Sequence, residues 1–106
     1  MDLAREGRTD ELAEFLDHGF NVDEQDDEGN SLLMLAAYHG RVGTVALLLA
    51  RGADPDLRNQ RDQTPVAGAL FKGEDEIVSQ LKQAGADLDI GTPTARDAAR
   101  MFGRTL

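Results

Sequence analysis

A period of 33 residues constrains the fold of this chain more than any other feature. Glycine recurs at this spacing at Gly7, Gly40 and Gly73, and short apolar runs flank the middle one, Leu32–Tyr38 and Val45–Ala50. Two further series keep the same spacing: Gly19, Gly52 and Gly85, and Asp23, Asp56 and Asp89. Self-similarity at such a period is typical of proteins built from stacked supersecondary units. We therefore predict a stack of units, each made of helix, tight turn, helix and extended turn.

The period divides the chain, a single domain of residues 1–106, into units at approximately 1–25, 26–58, 59–90 and 91–106. The fourth unit arrives early, because Gly103 follows Gly73 by only 30 residues, and it holds one helix with an apolar and a polar side. A terminal repeat should have this pattern, since its outer side meets water. The predicted fold is all-α: a solenoid of about three repeats and a C-terminal capping helix, with helix-turn-helix units joined by extended β-turn loops.

Hydroxyl side chains precede the first helix of three units: Ser31, Thr64 and Thr94. A Ser or Thr at this position accepts a hydrogen bond from a free backbone N–H of the first helical turn, so we predict three capped helix starts. Leu33, Leu48 and Leu49 belong to the middle unit, which has a neighbour on each side. We expect all three leucines in the core.

Acidic side chains outnumber basic ones, 20 against 11, and the formal net charge is −9. Residues 1–30 contain 11 acidic side chains against Arg5 and Arg8, so the whole excess lies at the N-terminal end. Such a field repels nucleic acids and anionic membranes, and we expect neither as a partner. The charge serves either solubility or the steering of a protein partner whose basic patch faces this end.

The composition also bears on the compartment. The chain has no cysteine, so it has no disulfide framework and no thiolate metal site. Asp2 follows Met1 without the basic start and apolar segment of a secretory signal, and the apolar runs are too short to span a bilayer. We therefore expect a cytoplasmic location.

The sequence lacks recognisable motifs for metal binding, nucleophilic catalysis and phosphate binding. The two histidines, His18 and His39, have no set of three or four converging ligands in the pattern that a metal site needs. The acidic run at 23–28 does not match a calcium loop, because Leu35 falls where a bidentate glutamate is required. Ser31 is better used as a helix cap than as a nucleophile, and no Gly-rich phosphate loop occurs. We expect no catalytic residues, no cofactor and no metal, and hence not an enzyme.

Several dispersed motifs recur at the right period, and together they resemble the ankyrin repeat. They are Asp26-x-x-Gly29-x-Ser31-x-Leu33, Ala36-Ala37-x-x-Gly40, Leu48-Leu49-x-x-Gly52-Ala53-Asp54, Thr64-Pro65-Val66 and Gly85-Ala86-Asp87. The chain also resembles small bacterial ankyrin-repeat proteins in its size. The resemblance implies a binding scaffold whose partner surface is concave and made of turn tips and the exposed side of each first helix.

The chain departs from the family pattern at two kinds of position. The family's histidine after Thr-Pro-Leu is replaced in each unit, by Met34, Ala67 and Asp97. Its turn-tip glycine is Asp62 in the third unit. The hydrogen bonds of the histidine must therefore be replaced or absent, and the tight turn at Asp62 is in question.

One row of residues remains as a candidate binding surface. At the repeat period, Arg5, Tyr38 and Phe71 are equivalent, and Met101 follows once the three-residue deletion is counted. We expect the last three to form an apolar ladder along the groove, although they could instead pack as the edge of the core. The full set of candidate partner-binding residues is Asp27, Glu28, Asn30, Tyr38, His39, Arg58, Gln60, Arg61, Gln63, Phe71, Lys72 and Met101.

These patterns favour a monomeric, non-catalytic module that binds a protein partner on the concave groove. The alternative is a regulatory or assembly subunit that acts through self-association, because the ends of a short solenoid are poorly covered.

Overall fold

The computed structural model describes residues 1–106, which form seven α-helices and no strand. In chain order the helices are α1 (Asp2–Glu6), α2 (Thr9–Asp17), α3 (Leu32–Tyr38), α4 (Val42–Ala50), α5 (Pro65–Lys72), α6 (Asp75–Gln83) and α7 (Ala95–Met101). The predicted all-α fold of three repeats and a C-terminal helix is confirmed.

The helices pack in two layers. The first helices of the repeats, α1, α3, α5 and α7, contact one another in sequence, and the second helices, α2, α4 and α6, do the same. α1, α3 and α5 also contact their own second helices, α2, α4 and α6, across glycine turns. Gly7, Gly40 and Gly73 take positive φ values of 71–73° at these turns, a backbone region that side chains with a Cβ rarely occupy. The molecule measures 40 × 25 × 21 Å, and the repeat order accounts for its elongation.

The predicted caps are present at the first helices. The hydroxyl oxygens of Ser31, Thr64 and Thr94 accept hydrogen bonds of 3.0–3.2 Å from the backbone N–H three residues on. Each of these contacts satisfies one of the donors that a helix start leaves free. The three caps therefore fix where α3, α5 and α7 begin.

The turn tips are built by short polar side chains. Asp26 Oδ1 accepts hydrogen bonds from two backbone N–H groups of its own turn, and Asn59 Oδ1 does the same one repeat later. Asp62 takes the place of Gly29 in the second of these turns with φ of 60°. Asp tolerates this left-handed conformation better than most residues with a Cβ. The tight turn questioned at Asp62 is therefore formed.

The periodic aspartates link neighbouring repeats. Asp23 Oδ1 accepts a 2.8 Å hydrogen bond from the backbone N–H of Asp54, and Asp56 Oδ1 accepts one of 2.7 Å from Asp87. A carboxylate that accepts from a backbone amide makes one of the stronger hydrogen bonds in proteins. The period of the aspartates therefore reflects a contact that recurs between adjacent loops.

The core corrects one sequence expectation. Leu33 and Leu48 are buried, with 1% and 0% of their surface exposed, whereas Leu49 is only partly buried. Successive helical residues point about 100° apart. Because Leu48 points straight into the stack, Leu49 is turned toward its rim. The expectation that all three leucines lie fully in the core was wrong for Leu49.

This difference yields a prediction on stability. Leu48→Ala should lower the free energy of unfolding by about 2–5 kcal/mol, since it opens a cavity between repeats. Leu49→Ala should cost clearly less, because part of that side chain already contacts water in the folded state. Urea unfolding followed by circular dichroism measures both. Equal losses for the two variants would contradict the assignment of Leu48 as the inner position.

Candidate functional site

A groove of about 570 Å³ runs between the turn tips and the exposed side of the first helices. Its floor is mainly apolar and consists of Met34, Leu35, Ala67, Gly68 and Ala98. The helices supply one rim with Arg5, Tyr38, His39, Phe71, Met101 and Phe102, and the turns supply the other with Asp26, Glu28, Asn30, Asn59, Arg61 and Gln63. Pro93 also lines it. An apolar floor with a few polar groups at its edge is the usual build of a binding site.

The floor of the groove is closely packed. Met34 Sδ lies 3.3 Å from where a Cβ on Gly68 would sit, so the missing side chain of Gly68 makes room for Met34. Ala67 and Ala98 are also buried. Two of the positions where the family pattern has histidine, Met34 and Ala67, are thus part of an apolar floor.

Aromatic side chains form the helical rim. The rings of Tyr38 and Phe71 lie nearly parallel, with centroids 6.3 Å apart, and the ring of Phe102 meets Phe71 edge-on at 5.6 Å. Tyr38 is half-buried, whereas Phe71 is 61% exposed. The two interpretations of this row therefore coexist, since the rings support one another and still present a large apolar surface to solvent.

One aromatic ring joins the row without having been predicted as a site residue. Met101 lines the groove and is 68% exposed, and Phe102, the next residue, also lines it. α7 ends at Met101, and Phe102 follows as the residue that terminates the helix. The ring of Phe102 contacts Phe71 from this position.

Tyr38 is held by two neighbouring side chains. Lys72 Nζ lies 5.0 Å from the centre of the tyrosine ring, and the imidazole of His39 meets that ring edge-on with centroids 5.5 Å apart. An ammonium group over an aromatic face is attracted by the charge distribution of the ring. Lys72 is not part of the groove lining, and its ammonium group lies over the ring of Tyr38, which belongs to that lining.

The pKa of His39 is lowered from its ordinary value of 6.5. Desolvation of the imidazole is the main cause, followed by the positive charges of Arg5, Arg41 and Lys72. The folded protein therefore binds a proton at His39 less readily than the unfolded chain. The stabilisation that this difference contributes is complete above pH 6.5 and declines as the pH falls toward the pKa of the folded state.

Amide side chains hold the turn rim. Asn59 Nδ2 donates to Asn30 Oδ1 at 2.9 Å and to Gln63 Oε1 at 2.8 Å, which joins adjacent turn tips. Gln60 Nε2 also donates to the backbone carbonyl of Asp27 at 2.9 Å. The turns are therefore fixed relative to one another, and a partner meets a surface that is already ordered.

The structure brings most of the predicted site residues together. Eight of them line the groove: Glu28, Asn30, Tyr38, His39, Arg61, Gln63, Phe71 and Met101. Four do not: Asp27, Arg58, Gln60 and Lys72. Arg58 pairs with Asp62 at 3.1 Å, and Gln60 bonds to the preceding turn. Sequence reasoning left Asp26 and Asn59 out of the site, although their place in the turns could have indicated them.

The structure contains no group of three His, Cys, Asp or Glu side chains placed to hold a metal ion. None of the helices has the length and apolar character needed to cross a membrane. The groove lining offers apolar, amide and charged contacts.

Known proteins with similar sequences are much longer than this chain. It is 35% identical over 96 residues to the inactive serine/threonine-protein kinase TEX14 of Mus musculus, which covers 91% of this chain and 7% of that protein. It is 33% identical over 86 residues to serine/threonine-protein kinase 12 of Arabidopsis thaliana, which covers 81% and 19%. It is 40% identical over 58 residues to the E3 ubiquitin-protein ligase XB3 of Oryza sativa subsp. japonica, which covers 55% and 13%. The chain spans less than a fifth of each of these relatives.

The family assignment rests on the repeats themselves. The model of the family described as ankyrin repeats (3 copies) matches residues 1–92. That range contains the three helix pairs α1–α2, α3–α4 and α5–α6, together with the turns that carry one rim of the groove. Period, helix pairing and family match agree, and the chain belongs to the ankyrin-repeat family.

Proposed function

We propose that this chain is a non-catalytic module that binds a segment of a partner protein along its groove. Ankyrin repeats are in general protein–protein interaction modules, and their fold is a non-catalytic one. The observation that carries the proposal is the exposed row of Phe71, Met101 and Phe102 beside an ordered polar rim. Large apolar side chains left in solvent at one edge of a groove are typical interface anchors.

The two rims have different parts in this proposal. The rings of Tyr38 and Phe71 supply apolar area that a partner can cover. Gln63 accepts through its Oε1 from Asn59, which leaves its Nε2 free to donate to a partner carbonyl. Arg61 and Glu28 are paired at 3.6 Å on the exposed rim, so water screens their contribution. The apolar rim therefore supplies most of the affinity, and the turn rim supplies selectivity.

The aromatic rim is tested by substitution. The variant Tyr38→Ala/Phe71→Ala should weaken partner binding by more than tenfold, because a desolvated aromatic contributes about 2 kcal/mol or more and each 1.4 kcal/mol is a factor of ten. Arg61→Ala should have a smaller effect, about 1 kcal/mol or less. Affinity capture from native cell extract identifies the partners, and calorimetry measures their affinities.

The matched control is Phe20→Ala. Phe20 is 52% exposed and stacks on Phe15 outside the groove, so its removal should leave binding unchanged. Circular dichroism must show that every variant is folded, since Tyr38 also supports the stack. Folded aromatic variants that bind like the parent would rule out the groove as the binding surface.

The acidic N-terminal end adds a second element to the proposal. A partner with a basic patch on that side would be attracted over long distances, and exposed charges act mainly on association rate. The structure refines the choice of residues to change, because Asp26 holds its own turn whereas Asp27 and Glu28 are exposed.

A cytoplasmic location stays a prediction of the sequence.

Asp27→Asn/Glu28→Gln should slow association at low salt and leave the dissociation rate nearly unchanged. The difference from the parent should shrink as salt is added, because mobile ions screen exposed charges. Stopped-flow measurement with an identified partner gives both rates. Glu76→Gln, an exposed change on α6, is the control. An unchanged association rate would reduce the acidic cluster to a contribution to solubility.

Self-association through the solenoid ends is the second candidate function. It is favoured by the exposure of Phe20 at the N-terminal end. At the other end, Lys82, Arg96 and Arg100 occupy positions at which the inner repeats have buried apolar residues or a partly buried leucine. The acidic and basic ends are complementary in charge. Light scattering over a wide concentration range decides: growth in mass that Phe20→Ser abolishes would support this function, and a constant monomer mass would remove it.

A further inference from the structure

Three Lys and Arg side chains of this chain form no ion pair. The sequence has 11 Lys and Arg against 20 Asp and Glu, so a carboxylate is available for almost every cation. Eight of the cations lie within 4 Å of a carboxylate oxygen. The remaining three are Arg41, Lys72 and Lys82. Two of these three, Arg41 and Lys72, both act on His39, which lines the groove.

Arg41, His39 and Lys72 form what we call the basic edge. Arg41 Nε donates a 2.9 Å hydrogen bond to the backbone carbonyl of Arg5, which places the guanidinium beside α1. Lys72 Nζ lies over the ring of Tyr38, and His39 meets the same ring and lines the groove. The basic edge therefore surrounds one end of the aromatic rim.

The surroundings of His39 carry an excess of positive charge. The pKa of His39 is lowered by the charges of Arg5 on α1, Arg41 after α3 and Lys72 on α5. No carboxylate oxygen lies within 4 Å of the charged group of Arg41 or Lys72. Arg5 is paired with Asp2, and Glu6 with Arg8. The carboxylate of Glu74 lies against Gly40, and it is not within 4 Å of either unpaired cation of the basic edge.

We infer that the basic edge is the subsite for a carboxylate side chain of the bound partner segment, next to an aliphatic or aromatic side chain that packs on Phe71. This inference rests on the proposed function of the groove. Lys72 follows Phe71 directly, so an acidic and an apolar residue close together in a partner can engage both. A larger polyanion such as a nucleic acid is disfavoured, because the chain as a whole carries a net charge of −9.

The occupied subsite would change the protonation of His39. A partner carboxylate beside the imidazole favours its charged form, so the pKa of His39 rises in the complex and binding takes up a proton. The affinity should therefore increase as the pH falls from 8 toward the pKa of His39 in the free protein. It should decline again near pH 4, where the carboxylate of the partner becomes protonated.

Selection from a random library tests this inference and the proposed function separately. Random 12-residue peptides displayed on phage are selected on the full chain at low salt and counter-selected on Tyr38→Ala/Phe71→Ala. We expect survivors that have Asp or Glu close to a large apolar residue. Survivors that need the aromatic rim but have no enriched acidic residue would overturn the carboxylate subsite and leave the groove function intact. If the selection yields no peptide that depends on the aromatic rim, this result would count against the groove function itself.

Point variants then locate the carboxylate. Lys72→Met and Arg41→Met should each weaken a selected synthetic peptide about two- to fivefold at low salt, the range of exposed ion pairs. Lys72→Arg, which keeps the charge, should bind like the parent. Lys82→Met is the matched control, because Lys82 is the third unpaired cation, lies on α6, and neither acts on His39 nor contacts the ring of Tyr38. Equal binding by Lys72→Met, Arg41→Met and Lys82→Met would overturn the assignment.

Proton NMR titration of the imidazole signals provides an independent readout. The pKa of His39 should be higher with the peptide bound than in the free protein, and His39→Gln should remove the rise in affinity between pH 8 and the pKa of free His39. The signals of His18, at the N-terminal end of the stack, serve as the internal reference. A pKa of His39 that does not change when the peptide binds would place the peptide carboxylate elsewhere.

Discussion

Everything in this molecule depends on the contact between adjacent repeats. Its helices are five to nine residues long, and helices of that length do not persist alone in water. They persist because each lies against its neighbour in the same layer. Ala36, Ala69 and Ala99 occupy equivalent buried positions in successive first helices, and their small side chains let the helices approach closely. The chain is therefore a stack in which no unit is stable without the next.

Stacking also orders the surface that carries the proposed function. Aspartate and amide side chains bond from one loop to the next, so the turn tips are fixed by the same register that builds the core. The aromatic rim is set in the same way, because Tyr38, Phe71 and Phe102 come from three successive units. The surface is thus already ordered before a partner binds, so binding costs less conformational entropy than it would on flexible loops. Framework positions repeat, while the groove positions differ between units.

The charge of the chain acts at two distances. The acidic excess at residues 1–30 extends over the N-terminal end and would influence encounter with a partner. The unpaired Lys72 and Arg41 act only at close range, at the end of the aromatic rim. A partner that satisfies both would carry a basic patch for the approach and an acidic residue for the docked state. The net charge of the chain alone would not indicate that a partner should carry this acidic residue.

The sequence by itself determined the features that repeat or are local. The period fixed the number of units, the Ser and Thr caps fixed the helix starts, and the equivalence of Tyr38 and Phe71 placed both on one rim. The tertiary structure decided what depends on the direction of a side chain or on distances between units. It added Phe102 as an aromatic neighbour of Phe71, left Leu49 only partly buried, and placed Lys72 over Tyr38. A repeat period specifies which positions are equivalent, but it does not encode where a chain leaves a helix or which charges remain without a partner.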